Sequence, residues 1–163
     1  EGRHGPARHH YELALQIQKE LGNRRSEGIL HGNLADLLLE QEDLETARFH
    51  LGECLRRAQE TQARGVEGAF LGSLGELELR CGRLAEAADA FEQGVALLRA
   101  SKVPMELAKI LCRRATLEAH RGDPSSADAT LCEVESLAHE LSLDSDSEIL
   151  QKVQQIRVKI EGS

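Results

Sequence analysis

The chain has 163 residues and a net charge of −8, which argues against nucleic acid as a general partner because phosphate binding requires a basic surface. Aromatic residues make up only 2%, so a core must be built from aliphatic side chains, which favours closely packed helices over a sheet. No apolar run approaches the roughly eighteen residues of a transmembrane helix and no signal-peptide pattern is present, so we expect no membrane association and a cytoplasmic location.

The N-terminal part is predicted to contain a disordered lead over residues 1–6 and a helix over residues 7–22. Small and apolar residues recur one turn apart in this helix and match residues forty positions later: Ala7, Tyr11 and Ala14 correspond to Ala47, Leu51 and Cys54. The helix is therefore predicted to be the second helix of a partial repeat. It also carries a further apolar set, formed by Leu13, Leu15, Ile17 and Leu21.

Three complete helix pairs follow, predicted over residues 24–62, 64–102 and 104–143. They align at intervals of forty residues, at positions where packing demands similar side chains: Ala47, Ala87 and Ala127; Leu51, Phe91 and Leu131; Leu37, Leu77 and Leu117; Ala35, Gly75 and Ala115. The turn in the third pair is the most strongly marked. Asp123 can cap the next helix, and Pro124 suits the first turn of that helix because proline has no N–H that would need an acceptor there. An internal repeat of this length predicts a helical solenoid.

Residues 144–163 are predicted to form a capping helix and a short tail. Ile149, Val153, Ile156 and Ile160 fall on one stripe of this helix, and its other face is polar. One apolar stripe with a polar back is what a terminal helix needs to cover the end of a stack.

The repeats resemble the tetratricopeptide repeat family. The family's small–aromatic–small pattern appears as Ala87, Phe91 and Gly94, and its leucine–glycine pair as Leu74-Gly75, replaced in the third repeat by Arg114-Ala115. The family's usual unit has about 34 residues, whereas this one has 40. The resemblance covers residues 7–141 of an array predicted over residues 7–143. It implies an all-α, right-handed α-solenoid of antiparallel helix pairs, with about eight helices including the C-terminal cap.

The resemblance also implies a concave groove, lined by the first helix of each pair, that receives a peptide or a partner domain. The positions carried over from the family motif are Asn33, Asp36, Glu40, Ser73, Glu76, Arg80, Lys109, Arg113 and His120. Asn33 either pairs with a peptide amide or bonds to a neighbouring helix. Gly32 and Gly72 leave room either for a peptide backbone or for close packing of two helices.

Charge along this groove is expected to orient a peptide. The carboxylates of Asp36, Glu40 and Glu76 come from the first two pairs, whereas Lys109 and Arg113 come from the third. A bound segment of mixed charge is therefore expected to place its basic part toward the first complete pair.

No enzymatic motif is found, and neither a cofactor nor a metal ion is expected. The seven histidines are dispersed, and Cys54, Cys81, Cys112 and Cys132 show no CxxC spacing, so they are predicted to be buried free thiols without disulfides. We predict a non-catalytic protein–protein interaction scaffold that is part of a larger multidomain regulatory protein. The alternative is a structural segment that forms a homodimer through the open face of helix 7–21.

Overall fold

The structure, a computed structural model, describes residues 4–162, which form eight helices and no strand. They are α1 (His4–Glu20), α2 (Arg24–Glu40), α3 (Leu44–Glu60), α4 (Arg64–Arg80), α5 (Leu84–Ser101), α6 (Pro104–His120), α7 (Pro124–Glu140) and α8 (Glu148–Glu161). Each helix packs on the next one in the chain, and α2, α4, α6 and α8 also form a continuous row. The predicted all-α solenoid of helix pairs is confirmed, while the right-handed sense of its superhelix stays a prediction.

Helix α1 starts earlier than the sequence predicts. It begins at His4, so residues 4–6 of the predicted disordered lead are helical, and residues 1–3 lie outside the described part of the chain. Pro6 is compatible with this start, because the first amides of a helix have no intrahelical acceptor and a proline there removes no bond.

The helices follow one another with a period of twenty residues, and a left-handed residue marks every turn. From α1 to α7, each helix begins twenty residues after the one before it. A positive φ recurs with the same spacing, at Gly22, Glu42, Gln62, Gly82, Lys102, Gly122 and Ser142. Each hairpin of the solenoid is thus two copies of a helix-plus-turn unit of one length.

The turns close the helix ends with the same pair of hydrogen bonds. At the turn after α4, the amide of Gly82 donates to the carbonyl of Leu79 (3.0 Å), and that of Arg83 donates to Glu78 (2.9 Å). This left-handed C-terminal motif satisfies carbonyls that the helix leaves open. In the turn before α7, Asp123 accepts from the amide of Ser126 (3.0 Å) and Pro124 is the first helical residue, both as predicted.

The core lies where the forty-residue register predicts it. Ala47, Ala87 and Ala127 are completely buried, and so are the larger residues one turn later, Leu51, Phe91 and Leu131. The Phe91 ring packs on the backbone of Gly75, because a Cβ added at Gly75 would lie 2.5 Å from the ring. The small residue of one helix therefore makes space for the large residue of its partner.

The third pair departs from the family pattern at Arg114, and the structure shows how this residue is accommodated. Its guanidinium donates to the hydroxyl of Thr130 in α7 (2.8 Å) and forms an ion pair with Glu118 (3.1 Å). Thr130 in turn donates to Glu118 (2.7 Å). A polar network thus replaces the apolar contact that leucine makes in the earlier pairs.

The C-terminal helix covers the stack as expected. Ile149, Val153 and Ile156 are buried, and α8 packs on both α6 and α7. No helix within residues 4–162 combines the length and apolar content that a membrane crossing requires.

The four cysteines are free, but they are not all buried. Cys54 and Cys112 are buried, Cys81 is partly buried and Cys132 is exposed. The prediction of a buried thiol is wrong for Cys132, because this residue lies on the outer side of α7 beside Arg157, 3.8 Å from its Nη2.

Candidate functional site

The candidate residues come from equivalent positions of α2, α4 and α6, so the solenoid brings them onto one surface. Positions 33, 73 and 113 are equivalent, as are 36 and 76, and 40, 80 and 120. Because residues three and four apart lie on the same side of a helix, each helix contributes one stripe. We call the surface formed by α2, α4, α6 and α8 the groove face.

The first cavity on the groove face, here the upstream cavity, has a volume of about 470 Å³. It contains five of the candidates, which are Asn33, Asp36, Ser73, Lys109 and Arg113. Sequence reasoning missed Arg25, Ile29, Phe70, Glu106 and Ile110, which also line it. All but Arg25 lie within one turn of a candidate, and Arg25 lies two turns before Asn33, so a longer and wider stripe on each helix would have included them.

The second cavity, here the downstream cavity, lies between α4, α6 and α8 and has a volume of about 570 Å³. Its candidates are Glu76, Arg80, Lys109, Arg113 and His120. Helix α8 adds Glu148, Ile149 and Lys152, which the sequence assigned only to a capping helix. Lys109 and Arg113 line both cavities, so the two cavities adjoin each other on the groove face.

Glu40 lines neither cavity. It is an exposed residue at the C-terminal end of α2. The structure therefore brings eight of the nine candidates together and leaves this one outside, because α2 lines only the upstream cavity and does so from Arg25 to Asp36.

Arg113 joins the acidic and basic parts of the groove. Its Nη1 donates to Ser73 Oγ (3.0 Å), and its Nε lies 3.0 Å from Glu76 Oε2. Glu76 also accepts from Arg80 (2.5 Å), and Arg80 donates to the Leu39 carbonyl (2.6 Å). The predicted separation into an acidic and a basic end is therefore wrong at Glu76, whose carboxylate is held between two arginines.

The Asp36 carboxylate is only partly accessible in the upstream cavity. Its Oδ1 is buried and has no hydrogen-bond partner within residues 4–162. Burial raises the pKa of the Asp36 carboxyl, while a hydrogen bond from Ser73 and the charge of Arg113 oppose that rise. The carboxylate at the centre of the predicted acidic end is thus partly buried and bonded to Ser73.

The two glycines serve helix packing. A Cβ at Gly32 would lie 2.3 Å from the Phe70 ring, and one at Gly72 would lie 3.2 Å from Ile110 Cγ1. Both glycines therefore allow a neighbouring helix to approach. The space beside them is filled by side chains of that helix and is not free for a peptide backbone. Asn33 lines the upstream cavity and forms no hydrogen bond with any side chain of residues 4–162, so its amide can serve a ligand.

No cluster of three metal-binding side chains is present in residues 4–162. Burial raises the pKa of Cys54 to about 12 and that of Cys112 to about 11. Both thiols therefore stay protonated near neutral pH and are poor nucleophiles.

Helix α1 has an apolar outer side that is separate from the groove face. Leu13, Ile17 and Leu21 are spaced by four residues and are 49%, 46% and 71% exposed. Leu15, predicted to share this face, is buried against the rest of the protein. The exposed stripe is thus narrower than the sequence predicts.

Comparison with known proteins gives a structural neighbour. No family model matches the chain, and no curated protein matches it. The crystal structure of BtubC (BKLC) from P. vanneervenii is similar, with a TM-score of 0.71 and 20% sequence identity over 90% of this chain. The match covers 61% of that protein. At this identity the similarity shows the fold alone: the chain shares an α-helical solenoid architecture with BtubC.

Proposed function

We propose that the protein is a non-catalytic scaffold of the tetratricopeptide type, which binds a peptide or a partner domain along the groove face. The observation that carries this proposal is that eight residues chosen by repeat register line two adjoining cavities. Lys109 and Arg113 connect these cavities, and Asn33 offers an unbonded amide to a ligand.

The dimensions of the groove face suit an extended segment. Four neighbouring helices spaced by 8–10 Å give a groove roughly 27 Å long. An extended chain advances about 3.3 Å per residue, so about eight residues fill the groove. A segment of this length offers backbone amides to Asn33 and side chains to both cavities.

A selection from random linear peptides displayed on phage tests the proposal, followed by calorimetry of the selected peptides. We expect Lys109→Glu and Asn33→Ala each to weaken binding by about tenfold, which corresponds to about 1.4 kcal/mol. Gln93→Ala on the exposed side of α5 is the matched control for the amide and leaves affinity unchanged. Equal affinity in all these proteins would reject the groove.

We also propose that the protein is cytoplasmic and that it is part of a larger multidomain regulatory protein. The four free cysteines favour a reducing compartment. A scaffold acts by bringing its ligand to another domain, and the full-length coding sequence tests whether such a domain is present.

The second candidate function is self-association through the outer side of α1. The exposed stripe of Leu13, Ile17 and Leu21 favours it, because contiguous exposed apolar side chains often mark a contact surface. Light scattering over a dilution series tests it: we expect Ile17→Glu to lower the average mass at high concentration. Val158→Glu, at an exposed apolar residue of α8, is the control, and a monomer at every concentration removes this function.

A further inference from the structure

The downstream cavity carries positive charge within an acidic protein. Its lining includes Arg80, Lys109, Arg113 and Lys152, against the carboxylates of Glu76 and Glu148. The whole chain has a net charge of −8, so this cavity is a local exception. A basic cavity on an acidic surface attracts the acidic part of a ligand and repels its basic part.

Lys152 is the cation of this cavity that is available to a ligand. Arg80 and Arg113 both pair with Glu76, and Lys109 pairs with Glu106 at 2.8 Å. Lys152 forms no ion pair with residues 4–162, and it lies on the wall contributed by α8. Its charge reaches the interior of the cavity: burial raises the pKa of the Cys112 thiol, and Lys152 opposes that rise.

The interior of the downstream cavity is apolar. Leu79, Cys112 and Ile149 line it between the charged residues. A volume of about 570 Å³ lies in the range of sites that enclose most of a bound group. Apolar interiors with a few charged groups at their edges bind ligands that carry both features.

We propose that the downstream cavity binds an acidic peptide segment, in which an apolar side chain enters between Leu79 and Ile149 and an adjacent carboxylate pairs with Lys152. This inference rests on the proposed peptide-binding function and specifies the ligand for one end of the groove. It places an acidic part of the ligand at the third helix pair and assigns α8 a direct role in recognition.

Fluorescence anisotropy with defined probes tests the inference. The probes are a short fluorescein-labelled peptide with a central leucine flanked by glutamates, and its counterpart with glutamine at every glutamate. We expect the glutamate peptide to bind at least about tenfold more tightly, and Lys152→Glu to abolish that preference. Lys159→Glu makes the same charge change on α8 outside the cavity and preserves the preference.

Other outcomes overturn the inference in distinguishable ways. If the two peptides bind equally, or if Lys159→Glu acts as strongly as Lys152→Glu, acidic recognition in this cavity is wrong. If the phage-selected peptides bind and depend on Asn33 and Lys109 but show no acidic preference, the inference falls and the proposed function stands. If neither probe binds and the phage selection also yields no groove-dependent peptide, both fall together.

Discussion

His31 is a titratable residue buried in the protein, with one ring nitrogen that lacks a hydrogen-bond partner in residues 4–162. It is 3% exposed, its Nδ1 lies 2.8 Å from the Nδ1 of His50, and its Nε2 is buried without a hydrogen-bond partner within residues 4–162. Burial lowers the pKa of His31 to about 4, and His50, Arg57 and Lys19 add to the effect, while Glu53 opposes it. The folded protein thus holds His31 neutral.

This burial predicts a pH-dependent stability. The unfolded chain binds a proton at His31 near its ordinary pKa of about 6.5, whereas the folded protein does so only near 4. The free energy of unfolding therefore falls as the pH decreases from 6.5 to 4, by at most about 3 kcal/mol. Urea unfolding over this range measures the slope.

Two variants assign that slope to its residue. His31→Phe removes the buried base, so we expect a flatter pH dependence between 6.5 and 4. His139→Gln changes an exposed histidine and serves as the control. Identical slopes in the wild-type protein and His31→Phe would show that the loss of stability has another origin.

Asp36 gives the opposite dependence on pH. Its raised pKa means that the folded protein binds this proton more tightly than the unfolded chain, so stability is lost as the pH rises above 3.8. We expect Asp36→Asn to increase the free energy of unfolding at pH 7 and to give no gain below about pH 3.8. Thermal melts at both values test this, with Asp89→Asn on the exposed side of α5 as control.

At the scale of the element, the turn is the unit that sets the period of the fold. Seven turns use a left-handed residue, and only three of these are glycines. A side chain in this conformation brings Cβ close to the following carbonyl, which costs roughly 1–2 kcal/mol. Glu42, Gln62, Lys102 and Ser142 therefore hold a conformation that packing of the helices imposes.

Gln62→Gly is predicted to stabilise the protein. Glycine adopts the φ of 54° at this position without the steric cost, so we expect the free energy of unfolding to rise by up to about 1 kcal/mol. Gln93→Gly places the same change inside α5 and should lower it by about 1 kcal/mol. Urea unfolding compares the two, and destabilisation by Gln62→Gly would contradict this account of the turn.

Across the whole molecule, the local stability of each helix depends on how many other helices it packs on. Among the helices of residues 4–162, α1 packs on α2 alone, whereas α4 packs on α2, α3, α5 and α6. Ala7, Tyr11 and Ala14 in α1 are only partly buried, although their equivalents in α3 are completely buried. Because each repeat contacts only its neighbours, the end of the array is less protected than its middle.

Hydrogen exchange measures this distribution. We expect the amides of α1 to exchange fastest and those of α4–α6 to exchange slowest, because local opening requires less free energy where fewer apolar contacts are lost. Mass spectrometry of peptic fragments resolves the helices. Uniform protection from α1 to α8 would show that the protein unfolds as one cooperative unit.

The helices, the core register and the positions of most groove-lining candidates follow from the repeat pattern of the sequence. Ala47, Ala87 and Ala127 predict three equivalent buried positions, and the structure has them. The same register selects Asn33, Ser73 and Arg113 for one surface. The prediction works because helical periodicity depends only on residues close in the chain, and because each helix pair packs on equivalent neighbouring pairs. Equivalent positions of successive repeats are therefore buried in the same way.

The accessibility of the polar groups on that surface depends on how the helices pack and does not follow from the repeat pattern. Arg113 bonds to Ser73, forty residues away in the chain, the Oδ1 of Asp36 is buried, and Glu40 lies outside both cavities. Lys152 reaches the groove because α8 packs on α6. Burial and pairing depend on side chains from helices that are distant in sequence, and the spacing of residues within one helix carries no information about them.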